Sequence, residues 1–155
     1  MQNKVLITGA YGFLGRYAAR YFSSKGCDVY GIGHGAWSKD EWQEWGLCDW
    51  RSVDVNLNNL IIYAEEPDFI VHCAGGASVG FSVTHPYQDF YRTVQTTLDV
   101  LEFVRLHSFK TKVILPSSAA VYGVVDKMPI DEDTSLNPLS PYGVHKIMAE
   151  EICRS

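Results

Sequence analysis

The sequence predicts an α/β fold in which a parallel sheet is wound with helices on both faces. Three observations lead there. Short apolar runs alternate with segments of helical spacing along the whole chain. The first run ends in a glycine-spaced turn, Thr8-Gly9-Ala10-Tyr11-Gly12-Phe13-Leu14-Gly15, which opens directly into a helical pattern. Strands that alternate with helices join in parallel by right-handed crossovers. A doubly wound sheet of about five strands in the order 3-2-1-4-5 is therefore expected.

Taken in order, Lys4-Val5-Leu6-Ile7-Thr8 reads as a buried parallel strand. Beyond the turn, Leu14, Tyr17, Ala18, Tyr21 and Phe22 fall on helical spacing and predict a helix over 13–24. Gly26 stops it, and Asp28-Val29-Tyr30-Gly31-Ile32 begins a second strand over 28–33. Ser38-Lys39-Asp40-Glu41 is a capping box, which predicts a short helix over 38–45. Further strands are expected at 49–53, 68–73 and 112–117, and further helices at 57–64, 86–107 and 140–153. Ser140-Pro141 gives the last helix an N-cap followed by Pro at its first position. Residues 119–139 form a long loop with Pro129, Asp131, Asn137 and Pro138, and loops of this length are often functional. Trp37, Trp42, Trp45 and Trp50 gather around the second strand and short helix. The plain reading is packing of that helix onto the sheet edge. The sharper reading is an aromatic patch for adenine or a partner chain.

At 155 residues the chain is one domain by size, and 46% hydrophobic residues suffice for a core. The net charge of −5, with no basic run, argues against a nucleic-acid partner. Cys27, Cys48, Cys73 and Cys153 are scattered without a Cys-x-x-Cys pair, as in a reduced, cytoplasmic protein. His34, His72, His85, His107 and His145 show no metal spacing, so no metal site is expected. No apolar run approaches the length of a membrane span, and the N-terminus enters a strand at once, so neither a span nor a leader is expected.

Two groups of residues carry chemistry. In the glycine turn, Gly9 tolerates positive φ, Gly12 lets the backbone approach a phosphate, and Gly15 lets the helix pack on the strand. The helix N-terminus then offers amide N–H groups and a positive dipole end to a pyrophosphate. The glycines are spaced three and three, and the strand–turn–helix–strand context supports dinucleotide binding over a turn that only packs. The acidic residue expected at the end of the second strand is absent, and Gly33-His34-Gly35 stands there. A 2′-phosphate would meet no carboxylate from that strand, with His34 and Lys39 nearby, so NAD and NADP both stay open. The second group is Ser118, Tyr142 and Lys146. Tyr142 and Lys146 lie one turn apart on one helix face, 24 residues after Ser118 at a strand end. An ammonium beside a phenol favours its phenolate form, and a helix N-terminus pushes the same way. Tyr142 then suits acid–base work, with Ser118 hydrogen-bonding the same substrate oxygen.

Together these stretches resemble the N-terminal part of an extended short-chain dehydrogenase/reductase, in the NAD-dependent epimerase/dehydratase family acting on nucleotide sugars. The resemblance rests on Ile7 through Gly15, Ser117-Ser118-Ala119-Ala120-Val121-Tyr122-Gly123, Pro129-Ile130-Asp131-Glu132, Ser140 through Lys146, and Val71-His72-Cys73-Ala74-Gly75 through Pro86. It implies a Rossmann-like domain over 1–155 that lacks the C-terminal substrate domain. It implies catalytic roles for Ser118, Tyr142 and Lys146, with Tyr142 and Lys146 also reaching the cofactor. It puts Gly9, Gly12, Phe13, Leu14 and Gly15 on the pyrophosphate, Asp54 and Val55 at adenine, and Cys73, Ala74 and Gly75 along the cofactor cleft. His34 joins the cofactor-binding candidates from its position at the end of the second strand.

The chain departs from the family in three places. Ala119 and Ala120 stand where dehydratases carry acidic residues, which favours an epimerase or ketoreductase over a dehydratase. Thr93-Val94-Gln95-Thr96-Thr97 replaces an Asn-x-x-Gly-Thr stretch. The sequence stops in the helix that carries Lys146, whereas family members continue into a substrate-binding half. The expected activity is a nucleotide-sugar epimerase using NAD or NADP. The alternatives are a dinucleotide-binding module or fragment without turnover, and an NADP-dependent ketoreductase. A homodimer is expected, through the open edge of the last strand or the helices at 86–107 and 140–153.

Overall fold

The computed structural model describes residues 2–155. The elements run β1 (Lys4–Thr8), α1 (Phe13–Ser24), β2 (Asp28–Gly33), α2 (Lys39–Glu44), β3 (Asp49–Ser52), α3 (Leu57–Tyr63), β4 (Phe69–His72), α4 (Val79–Thr84) and α5 (Pro86–Phe90). A π-helical segment (Tyr91–Gln95), α6 (Thr96–His107), β5 (Lys112–Ile114), a 3-10 turn (Ala119–Val121) and α7 (Pro141–Arg154) complete the chain. Two compact units result. One holds residues 2–74 with Asp99–Pro116, the other Gly75–Leu98 with Ser117–Ser155.

The first unit contains the whole sheet, five parallel strands in the order β3-β2-β1-β4-β5. Both faces are covered, which explains the near-continuous apolar runs. Val5, Ile7 and Val29 face one side and pack with Ala19 of α1, Leu47 and Trp50. Leu6, Ile32 and Ile70 face the other and pack with Leu60 of α3 and Val100 and Phe103 of α6. Each such side chain fully withdrawn from water contributes about 1.5–3 kcal/mol, so the sheet and its two cores are the stable frame of this unit. The tryptophans follow the plain reading. Trp50 is buried, and Trp37 and Trp42 pack against the same core.

The second unit is helical. Its fixed points are polar side chains rather than a sheet. The Ser140 hydroxyl accepts from Gly143 N–H at 3.2 Å and caps α7. The hydroxyl of fully buried Ser82 accepts from Tyr142 N–H at 3.0 Å. His145 Nδ1 donates to Asp89 Oδ2 at 2.7 Å, with the carboxylate wholly buried.

Three elements differ from expectation. β5 ends at Ile114, short of the expected 117, where its pairing with β4 ends opposite Val71. The helix expected over 86–107 is broken by the π-helical segment that carries Thr93. Helix α4 has no counterpart among the expected elements. Its sequence, Val-Gly-Phe-Ser-Val-Thr, is poor in helix formers, and the Ser78 cap on Phe81 N–H and the burial of Ser82 sustain it instead.

Candidate functional site

The first unit builds a candidate site from backbone. Gly9 sits at φ +68° and donates its N–H to Ile32 O at 2.7 Å, which ties the turn to the end of β2. A Cβ there would lie 2.7 Å from Ala74 N, and one on Gly15 would lie 2.3 Å from Gly9 O. Only glycine fits at either place. Helix α1 opens at Gly12, which offers no side-chain cap, and its first turn carries no acidic residue. By contrast, Ser38, Asn56, Ser78 and Ser140 cap the N-termini of α2, α3, α4 and α7. The first helical bond runs from Arg16 N–H to Gly12 O at 3.1 Å, so the amides of Phe13, Leu14 and Gly15 precede it. Phe13 and Leu14 are exposed beside them. Uncapped amides at the positive end of a twelve-residue helix suit a pyrophosphate.

Other predicted residues gather at the same strand ends. Thr8 Oγ1 hydrogen-bonds His72 Nδ1 at 2.7 Å and accepts from Ala74 N–H at 3.2 Å, while Cys73 N–H donates to Thr8 O at 3.0 Å. These bonds latch Cys73 and Ala74 beside the end of β1. Beyond the end of β2, His34 Nε2 pairs with Asp54 Oδ1. The Val55 side chain is buried in the core with Leu60 and Ile70. Gly75 lies in the second unit, where the neighbouring Gly76 N–H donates to Thr93 Oγ1 at 2.9 Å.

Ser118, Tyr142 and Lys146 all belong to the second unit. Ser118 ends an extended segment, and its hydroxyl accepts from Ala120 N–H at 3.2 Å, opening the 3-10 turn. That turn meets the first turn of α7, where a Cβ on Gly143 would lie 2.5 Å from Ala120 O. The glycine therefore lets the Ser118 turn and the Tyr142 turn approach closely. Tyr142 is half-buried and Lys146 is buried. Loop 122–138 returns to its start, with Asn137 N–H donating to Val121 O at 3.1 Å.

The sequence did not single out Ser82, Asp89 or His145 as supports of this helix. The signals were faint: a polar residue inside a β-branched stretch, and an Asp between Tyr87, Phe90 and Tyr91. Among the described residues no group of His, Cys, Asp and Glu stands ready to hold a metal ion, and no helix is long and apolar enough to cross a membrane.

A glycine turn at the uncapped N-terminus of α1, set on a parallel sheet in the order 3-2-1-4-5, defines the class: a Rossmann-like α/β protein. The chain belongs to the NAD dependent epimerase/dehydratase family, whose model matches residues 5–155. It is 33% identical to a UDP-glucose 4-epimerase of Lactobacillus helveticus, covering 96% of this chain and 46% of that protein. It is 32% identical to a UDP-glucose 4-epimerase of Pisum sativum, covering 97% of this chain and 47% of that one. Among solved structures, UDP-glucose 4-epimerase from Brucella ovis in complex with NAD superposes with a TM-score of 0.83 at 31% identity, covering 97% of this chain and 46% of that one. The enzyme from Bifidobacterium longum in complex with NAD+ and UDP gives 0.84 at 28%, covering 98% and 48%. The chain thus spans about half the length of the relatives it matches.

Proposed function

We propose that this chain is the dinucleotide-binding and proton-transferring part of a nucleotide-sugar epimerase. The observation that carries the reading is the uncapped N-terminus of α1 behind a turn where Gly9 and Gly15 admit no side chain. Phe13, Leu14 and Gly15 N–H groups would hold the pyrophosphate of NAD, with Cys73, Ala74 and Gly75 lining the rest of the cofactor. Bound NAD supplies a hydride acceptor that is regenerated within the cycle. Tyr142 would take the proton of a sugar hydroxyl as that carbon is oxidised to a ketone, and return it when the carbon is reduced on the opposite face. Lys146 follows one turn further along the same helix, and Ser118 would hydrogen-bond the reacting oxygen. Ala119 and Ala120 provide no acid or base for eliminating water, which supports epimerisation over dehydration.

The test is incubation of the chain with NAD and UDP-galactose, followed by proton NMR of the sugar. Appearance of the 4-epimer, abolished by Tyr142→Phe, supports the reading. NAD binding without any epimer in the wild type supports a second reading, a cofactor-binding module without turnover. Net NADPH consumption with a keto-sugar would instead mark a ketoreductase. We further propose a homodimer. β5 is an outer strand, and Tyr87, Tyr91, Val144 and Met148 are exposed on the helices of the second unit. Light scattering at high concentration tests it, and a strictly monomeric species contradicts it.

A further inference from the structure

Asp89 and His145 have no part in the proton transfer proposed above, yet a buried carboxylate is costly to hold and calls for a reason. Asp89 lies wholly buried in the short helix α5, and its Oδ2 accepts from His145 Nδ1 at 2.7 Å. Its Oδ1 has no hydrogen-bond partner among the described residues. That oxygen lies against main chain instead. A Cβ on Gly76 would stand 2.1 Å from Asp89 Oδ1 and 3.0 Å from Thr93 Oγ1, so only glycine fits between the two.

The Gly75–Gly76 segment is fixed along the π-helical segment. Gly76 N–H donates to Thr93 Oγ1 at 2.9 Å, and a Cβ on Gly75 would lie 3.7 Å from Arg92 O. The Thr96 and Thr97 hydroxyls donate to Arg92 O and Thr93 O at 2.6 and 2.7 Å, which steadies the wider turn. On the other side of Asp89, α7 is tied at two points. Tyr142 N–H donates to the buried Ser82 hydroxyl at 3.0 Å, and His145 reaches Asp89. The His145 ring stands edge-on to Phe90, with centroids 5.6 Å apart at 84°, which sets its plane. A helix held at two such points can neither slide nor turn about its axis. Tyr142 is one of these points, and Lys146 directly follows the other.

We infer that Asp89 and His145 are positioning residues, which brace the helix of Tyr142 and Lys146 against the Gly75–Gly76 segment. The inference rests on the proposed function above, in which Gly75 lines the cofactor. One carboxylate then touches both parts of that site, the helix through Oδ2 and the glycine segment through Oδ1. Such a link matters to chemistry, because a misplacement of about 1 Å at the reacting groups can cost about a hundredfold in rate.

The experiment compares the full chain with its His145→Ala and His145→Asn variants by two readouts. One is calorimetric titration of NAD. The other is kcat and KM for epimerisation of UDP-galactose at saturating NAD. Asn keeps an N–H donor near the place of Nδ1, and circular dichroism checks folding at the assay temperature. His145→Ala should weaken NAD by about fivefold or more and lower kcat by about tenfold or more, with KM for the sugar nucleotide within about twofold. His145→Asn should recover both losses to within about threefold of the wild type. A role in stability alone lowers the melting temperature and leaves Kd and kcat of the folded protein unchanged. That result overturns the inference, and so does an Asn variant as impaired as the Ala variant. Should His145→Ala not fold, Asp89→Leu/His145→Leu leaves no buried charge unpaired and carries the same expected losses. Wild-type NAD binding without turnover removes the epimerase reading alone, and the NAD titrations then decide the inference. Absence of NAD binding in the wild type overturns both.

Discussion

The two units build their sites from different materials. In the first, the turn at Gly9–Gly15 is made of backbone: N–H groups, carbonyls and glycines pressed against other main chain at distances no Cβ tolerates. In the second, the helix that carries Tyr142 and Lys146 is held by side chains: Ser140, Ser82 and the buried Asp89–His145 pair. A backbone site fails when anything is added to it. A side-chain site fails when one partner is removed, and it withstands a balanced exchange.

The largest expected effect follows from that contrast. His145→Ala leaves the Asp89 carboxylate buried without its donor, and among the described residues its other oxygen already has no hydrogen-bond partner. Chemical denaturation should show a loss of about 3–5 kcal/mol. The double variant Asp89→Leu/His145→Leu should cost clearly less than the single one. If it costs as much or more, the pair matters for shape and not for charge. Gly15→Ala comes next, at about 1–3 kcal/mol of overpacking, with dinucleotide binding lost even where the protein stays folded. Ser140→Ala should cost about 1 kcal/mol, as for an ordinary N-cap.

The smallest effect concerns α2, in the first unit but built like the second. The Ser38 backbone N–H and hydroxyl both donate to Glu41, which holds its carboxyl below the usual value of 4.5. A lowered folded-state value means the contribution is present above pH 4.5 and disappears as pH falls through the depressed value. Thermal midpoints of wild type and Glu41→Gln should differ slightly at neutral pH and converge in acid. A constant difference across that range would contradict the capping-box account.

The same contrast explains what the sequence made legible. β1, the glycine turn, α1 and β2 fall where expected because their signals are local: an apolar run, glycines at fixed offsets and a stopping Gly26. The spacing of Ser118, Tyr142 and Lys146 was equally readable. The supports of α7 were not, because Asp89 lies 56 residues from His145 and Ser82 lies 60 from Tyr142. Partners so far apart leave no periodic trace. The π-helical break in the expected 86–107 helix is of the same kind, with Thr93 receiving the N–H of Gly76 from 17 residues upstream. The contact of His34 with Asp54 is equally invisible to spacing, because only the parallel register of β2 and β3 brings the two together.

The most direct test of the central claim is calorimetric titration of NAD into the wild-type chain and into a folded Gly15→Ala variant. The account predicts saturable binding to the wild type and none to the variant. No binding to the wild type, or equal binding to both, would show that the turn only packs a helix on a strand and would contradict it.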